Sequence, residues 1–410
     1  MEKNNLALSF TGYQKFVVAI MAFLQFTIIL DFMIMSPLGA TMMPSLSITP
    51  AQFGLVVSVY AFSAGISGLA AAGFADRFDR KKLLLLFYTG FILGTLFCAL
   101  APNYHFLLAA RMITGFFGGV IGSIVFAITT DLFPMAMRGR VMGFIQTAFA
   151  ASQVLGIPAG LYISNIWGWH APFLMIVGVG AFVGIFIFTY LRPIDGHLKL
   201  HADTNAFHHL KKTVTTPRYL LAFATTALLS TGGFMLMPFS SAFTVHNLGI
   251  DIGKLPMMYL ITGVCAIFIG PLVGRASDAF GGLKVFNFGA LLTIVMVLIY
   301  TNLGITPVGI AIFVNTLMFI GIFSRMIPSQ ALMSAIPEPA SRGSFMAVSS
   351  SLQQISGGVA AVVAGLIVVE ETGGHLDHFD TLGYILVGTV LITMAMMYII
   401  SKSISKSAKK

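Results

Sequence analysis

Three ionisable side chains stand well inside long apolar runs of this 410-residue chain: Asp31, Arg111 and Arg325. A charge at the bilayer centre costs about 2.5–3.5 kcal/mol on insertion scales, so each is read as a functional site. Asp31, the only carboxylate of the three, lies in LQFTIILDFMIMSPLG, residues 24–39. A carboxyl that takes up and gives back a proton can couple a proton gradient to solute movement. Arg111 is the expected counter-ion, because depth brings the two together. At 1.5 Å per residue, Asp31 lies roughly 22 Å from the start of the first run. Arg111 lies roughly 10 Å from the start of the fourth run, which enters from the other face. In a hydrocarbon core about 30 Å thick, both reach a similar depth. Burial disfavours the ionised carboxylate, and a nearby guanidinium favours it. A motion that changes both terms would load the proton on one side and release it on the other. The competing reading is a static ion pair that holds the first half together. Arg325, roughly 29 Å into its run, falls near the cytoplasmic end. There it either snorkels to the interface or meets an anionic substrate.

These residues need a membrane around them, and the composition supplies that frame. The chain is 57% hydrophobic and 9% charged, where soluble domains carry roughly 25% charged residues. A soluble fold of this length is excluded. The formal net charge of +9 suits positive-inside topology better than nucleic-acid binding, because the charges sit in short loops. No cleavable signal is expected in the opening segment, MEKNNLALSFTGYQK. Cys98 and Cys265 fall inside apolar runs and are expected to pack rather than pair.

Twelve spans are expected: 16–40, 52–74, 83–101, 104–129, 139–164, 171–191, 219–244, 255–275, 284–302, 306–333, 343–369 and 381–401. Of the Lys and Arg residues in the connecting segments, all but Lys254 fall on one side, which puts both termini in the cytoplasm. The longest loop, 192–218, divides the spans six and six. Its His197, His201, His208 and His209 match no metal-ligand template and read as a solvated linker. AGFADRFDRKK, 72–82, is echoed by GRASDAFGGLK, 274–284, at the matching place in the second half. The expected fold is an all-α membrane protein with twelve transmembrane helices in two pseudo-symmetric six-helix bundles. The bundles are residues 1–191 and 219–410, joined by a cytoplasmic linker, 192–218.

Over essentially its whole length the chain resembles the major facilitator superfamily, and within it the twelve-span drug:proton antiporters and arabinose-efflux-like permeases. The loop after span two is similar to the family signature through Asp76, Arg77, Arg80 and Lys81. It departs where the usual glycines are Ala72 and Asp79. The resemblance implies a charge cluster of Asp76, Arg80 and Asp131 that latches the halves in the outward-facing state. Span four, with Arg111, Gly115 and Gly119 four apart, resembles the family motif whose arginine is implicated in proton transfer. In span five, Gly156, Pro158 and Gly160 resemble the antiporter motif, although glycine and proline are not adjacent here. NIWGWHAPF, 165–173, is also similar to the drug:proton antiporters, with His170 as its polar residue.

An exporter of amphipathic compounds needs an adaptable apolar cavity with few polar anchors. The candidates are Gln25 and Phe32 in span one, and Gln146, Phe149 and Gln153 in span five. Phe234 and Met237 in span seven, Arg325 in span ten and Gln353 in span eleven complete them. Gln146 and Gln153, seven apart, are expected on one face. The loop EETGGHLDHFD, 370–380, reads as solvated.

The functional expectation is a secondary active transporter, a proton-coupled antiporter exporting small amphipathic molecules such as drugs, metabolites or sugars. A lipid or lysophospholipid exporter with a lateral opening between spans five and eight is the first alternative. A sugar or metabolite facilitator or symporter is the second. An enzyme is disfavoured, because all nine histidines fall in loops or at span ends, with no buried Ser–His pair or metal-ligand cluster. No cofactor and no metal are expected, and the energy source is the proton gradient. The expected partners are a small-molecule substrate, protons and membrane lipids, with no nucleic acid. The chain is expected to act as a monomer in the cytoplasmic (inner) membrane.

Overall fold

The computed structural model describes residues 10–74, 78–195, 213–337, 342–371 and 373–407. Among them, twelve helices are long and apolar enough to cross a membrane. The first six are Gly12–Ile34, Pro50–Ala71, Arg80–Ala99, Tyr104–Leu132, Arg140–Trp167 and Ala171–Tyr190. The second six are Tyr219–His246, Ile252–Phe280, Gly282–Thr301, Val308–Ser334, Ser344–Ile367 and Phe379–Ile404. They are called spans one to twelve below. Helices dominate because lipid offers no partner to an exposed backbone N–H or C=O. The chain is an integral membrane protein.

Spans one and seven differ from the expected uninterrupted helices. Span one stops at Ile34, turns through residues 35–38 and resumes as a short helix, Gly39–Leu46. Span seven is broken by a 3-10 turn at Met237–Phe239 before Ser240–His246. Each break holds a proline, Pro37 or Pro238, which takes one donor out of the helical ladder. The breaks occupy corresponding positions in the two halves, a recurring mark of transporter sites.

The two breaks meet at the end of the bundle away from the termini, here called the far end. The Ser36 hydroxyl donates to the Met237 carbonyl, and the Ser241 hydroxyl donates to Ser36 O at 3.0 Å. Phe53 meets Phe239 edge-on, with ring centroids 6.1 Å apart. Spans two and eleven pack backbone to backbone alongside: a Cβ on Gly54 would fall 2.6 Å from Ala361 O, and one on Gly365 2.7 Å from Pro50 O. The Ser58 hydroxyl lies 2.8 Å from Gly358 O across the same seam. Spans five and eight also touch. Asn165 Nδ2 reaches Ile252 O at 3.5 Å, and Gly263 packs on the Gln153 carbonyl. At this level the seam proposed for a lateral opening is in contact.

Burial follows the same division. One apolar cluster runs from the far end of the first half through the second half. A second cluster, built on Val17, Leu84, Phe91, Ile124 and Ile187, belongs wholly to the first half. Around the largely exposed segment 370–380, part of the backbone is paired. Val369–Glu370 pairs antiparallel with Leu376–Asp377, and the Asn247 side chain exchanges two 2.9 Å hydrogen bonds with the Leu376 backbone.

Candidate coupling site

Asp31 and Arg111 meet. Arg111 Nη1 donates to Asp31 Oδ2 at 2.8 Å, and both side chains are fully buried. Three other spans set this geometry. From span three, the Thr95 hydroxyl lies 3.2 Å from Asp31 Oδ1 and 3.0 Å from Phe91 O, so its single proton is shared. From span two, the Tyr60 ring lies under the guanidinium, 4.4 Å from Cζ to the ring centroid. A desolvated cation over an aromatic face contributes about 2 kcal/mol. From span five, Gly156 packs on Leu30 and Gly160 on Ile34, the residues flanking Asp31 on its helix.

Close approach of spans two and four explains why Arg111 reaches Tyr60. A Cβ on Gly115 would fall 2.4 Å from Tyr60 O, and one on Gly119 2.3 Å from Ala64 O. Only a residue with no side chain fits at either position. Arg111, Gly115 and Gly119 thus share one face, and that face is laid against span two. In span five, residues Ser152–Gly156 form a π-helical turn. Pro158 has no N–H with which to continue the ordinary ladder, and Ile157 N bonds back to Ser152 O instead. The Ser152 hydroxyl lies 3.1 Å from Phe26 O of span one, tying this turn to the helix that carries Asp31.

The ion pair is not fully satisfied. Arg111 Nε and Nη2 are buried with no hydrogen-bond partner. The guanidinium has one charge-assisted bond, a ring beneath it and two idle nitrogens. An aromatic chain leads outward from it. The Tyr60 ring lies 5.4 Å from Phe32, and Phe32 lies 5.6 Å from Phe234 of the second half. Phe234 in turn fills the space beside Gly357 of span eleven.

The other predicted residues divide into three groups. Phe32, Phe234 and Met237 come together where the halves meet. Gln153 is buried against span eight, whereas Gln146 is exposed, so this pair does not share the surroundings its spacing suggested. Gln25, Phe149 and Gln353 are half-buried, and Arg325 is buried within the second half. Two cavities of about 410 and 190 Å³ lie along spans five and six. Asp31, Arg111 and the cavity candidates line neither of them.

At the termini end, Arg80 Nε donates to Asp131 Oδ2 at 3.1 Å, and Lys81 Nζ reaches Phe188 O at 2.9 Å. Asp76 and Arg77 lie outside the described residues, as do His197, His201, His208 and His209. Asp79, read from the sequence only as a departure from the signature, caps span three. Its carboxylate accepts from Lys82 N at 2.9 Å and from Ile194 N at 3.1 Å. An Asp directly before an apolar helix is a legible N-cap signal. The sequence does not single out Thr95 or Tyr60. Each is one polar atom in an apolar span, and no spacing distinguishes it.

The family model described as Major Facilitator Superfamily matches residues 21–361. The uncharacterised MFS-type transporter YtbD of Bacillus subtilis is 32% identical over 225 residues, 54% of each chain, so this chain spans about half of that relative. A probable sugar efflux transporter of Mannheimia succiniciproducens is 23% identical over 293 residues, 72% of each chain. Among solved structures, a bacterial homologue of the human lysosomal transporter Spinster, inward-facing and unoccupied, superimposes with a TM-score of 0.79. It is 17% identical, with 97% of this chain and 99% of that one covered. That likeness concerns the fold.

Proposed function

Because the chain belongs to the major facilitator superfamily, we propose that it is a proton-coupled antiporter exporting small amphipathic molecules by alternating access. The observation that carries this reading is the fully buried Asp31–Arg111 pair with two idle guanidinium nitrogens. While Asp31 is ionised, the two charges compensate each other in the closed site. A proton arriving on Asp31 leaves Arg111 uncompensated, and an uncompensated buried charge is strongly destabilising. The loaded site therefore favours an arrangement that admits water or substrate to Arg111. In a hydrated site the carboxyl gives its proton up again.

The chain Arg111, Tyr60, Phe32, Phe234 gives this event a route to the other half. The matched breaks of spans one and seven act as the far-end gate, and Ser36, Ser241 and Met237 close it. Phe32, Phe234 and Met237 would face the substrate first, with Gln25, Phe149, Gln153 and Gln353 as further contacts. Arg80 with Asp131 supports a latch at the opposite end, together with Asp76, Arg77 and Lys81. Positive-inside topology orients that end, and both termini, to the cytoplasm of a bacterial inner membrane.

The test is purified protein in liposomes with an imposed pH gradient, offered matched cationic, neutral and acidic amphiphiles and sugars. Movement of at least one of them that collapses with the gradient is expected. Proton-independent flux of every solute would overturn the coupling.

A further inference from the structure

Arg325 is the buried charge that the coupling site leaves unused. It stands on span ten, whose helix ends at Ser334, and so lies roughly 13 Å in from the termini end. It is 5% exposed. Its Nη2 reaches the Thr393 hydroxyl of span twelve at a long 3.4 Å, and its Nε has no partner. On span nine, Asn287 Oδ1 is likewise buried and unpartnered.

Spans nine and ten cross closely beside these groups: a Cβ on Gly289 would fall 2.6 Å from Ser324 Cβ. Asn287 and Arg325 both follow that crossing on its termini side, so they occupy one layer of the second half. Pro328, inside the same helix, has no N–H to offer the Ser324 carbonyl. Among the described residues, the layer therefore holds polar groups from three spans and a positive charge with no carboxylate bonded to it. The acids within the second half's long helices, Asp278 and Asp380, stand in terminal turns of spans eight and twelve.

The edge of Arg325 formed by the unpartnered Nε and by Nη2, which has only the long Thr393 contact, has a definite shape. Nε and Nη2 point side by side, a fork that matches two oxygens of a carboxylate or phosphate. We propose that Arg325, with Thr393 beside it, is an anion subsite that takes the oxyanion group of an amphipathic occupant. The occupant is an acidic cargo or an anionic lipid drawn from the termini-side leaflet. Only the cargo identity rests on the transport reading, and in that case the preferred substrates are organic acids.

The test uses the full chain in lipid nanodiscs and follows its melting temperature. The probes are 1-naphthaleneacetate, its neutral amide, and phosphatidylglycerol replacing a zwitterionic lipid. The acid or the anionic lipid should raise the wild-type melting temperature, and the amide should not. Which of the two acts identifies the source. In Arg325→Gln the apparent affinity for the active anion should fall at least tenfold. If that variant does not fold, Arg325→Lys keeps the charge but loses the fork, and should bind at least severalfold more weakly.

Equal stabilisation of wild type and Arg325→Gln, equal affinity in Arg325→Lys, or no anion-specific stabilisation overturns the subsite. The two readings fail separately. Anion-specific stabilisation in a protein that moves no solute supports the subsite and sinks transport. Proton-driven flux without anion-specific stabilisation supports transport and sinks the subsite.

Discussion

Among the described residues, each half buries one arginine well inside a span, on span four and on span ten, and the two are handled in opposite ways. Arg111 has a carboxylate at 2.8 Å, a ring beneath it and two glycines that bring span two close. Among the described residues, Arg325 has one long contact to a hydroxyl and no carboxylate partner. The first arrangement is neutral as a unit and changes when a proton arrives. The second keeps its charge on offer. On the proposed reading the two pseudo-symmetric halves divide the work, one carrying the coupling ion and the other presenting a fixed cation.

Removing each arginine tests that contrast most sharply. Arg111→Ala strands the Asp31 charge in a dry site. Breaking a buried pair this way costs about 3–5 kcal/mol, so a large fall in melting temperature and background-level flux are expected. Arg325→Met should have the opposite sign. It deletes an uncompensated buried cation, so the ligand-free protein should melt higher, by roughly 1–3 kcal/mol of stability. A fall comparable to that of Arg111→Ala would show that Arg325 is compensated after all.

Gly119→Val probes how the first arginine is positioned. Its Cβ would meet the Ala64 carbonyl, and overpacking of this kind costs about 1–3 kcal/mol. Flux should fall with the melting temperature, because Arg111 rides on the same helix face. Ser241→Ala removes one far-end hydrogen bond worth about 1 kcal/mol and should leave both arginines undisturbed. Faster amide exchange confined to Gly39–Leu46 and Ser240–His246 is the expected readout. Unchanged exchange would mean the far end is held by its aromatic contacts alone.

The ion pair was legible because depth along a helix is arithmetic, and two charges at one depth in lipid have reason to meet. Its support was not. Thr95 and Tyr60 contribute single atoms from apolar spans, and only packing of five helices brings them to Asp31 and Arg111. Pro37 and Pro238 were visible, but membrane helices tolerate proline, so the sequence read straight through both breaks. Their meaning lies in each other: a serine beside one proline bonds the backbone beside the other. The spacing of Gln146 and Gln153 was correct as helix geometry. It still failed as a pairing, because Gln153 is held against span eight while Gln146 faces outward. Asn247 shows the same principle at the surface. An isolated amide carries no sequence signal until a distant hairpin edge is placed beside it.

The central claim is that Asp31 carries the proton. Its most direct test compares wild type and Asp31→Asn in proteoliposomes, measuring pH-driven flux against solute exchange at equal pH. Asn keeps an acceptor for Arg111 and removes the ionisation. The expected result is loss of pH-driven flux by about two orders of magnitude or more, roughly 2.7 kcal/mol or more in rate terms, with solute exchange retained. An Asp31→Asn protein that still transports with the wild-type pH dependence would contradict the account.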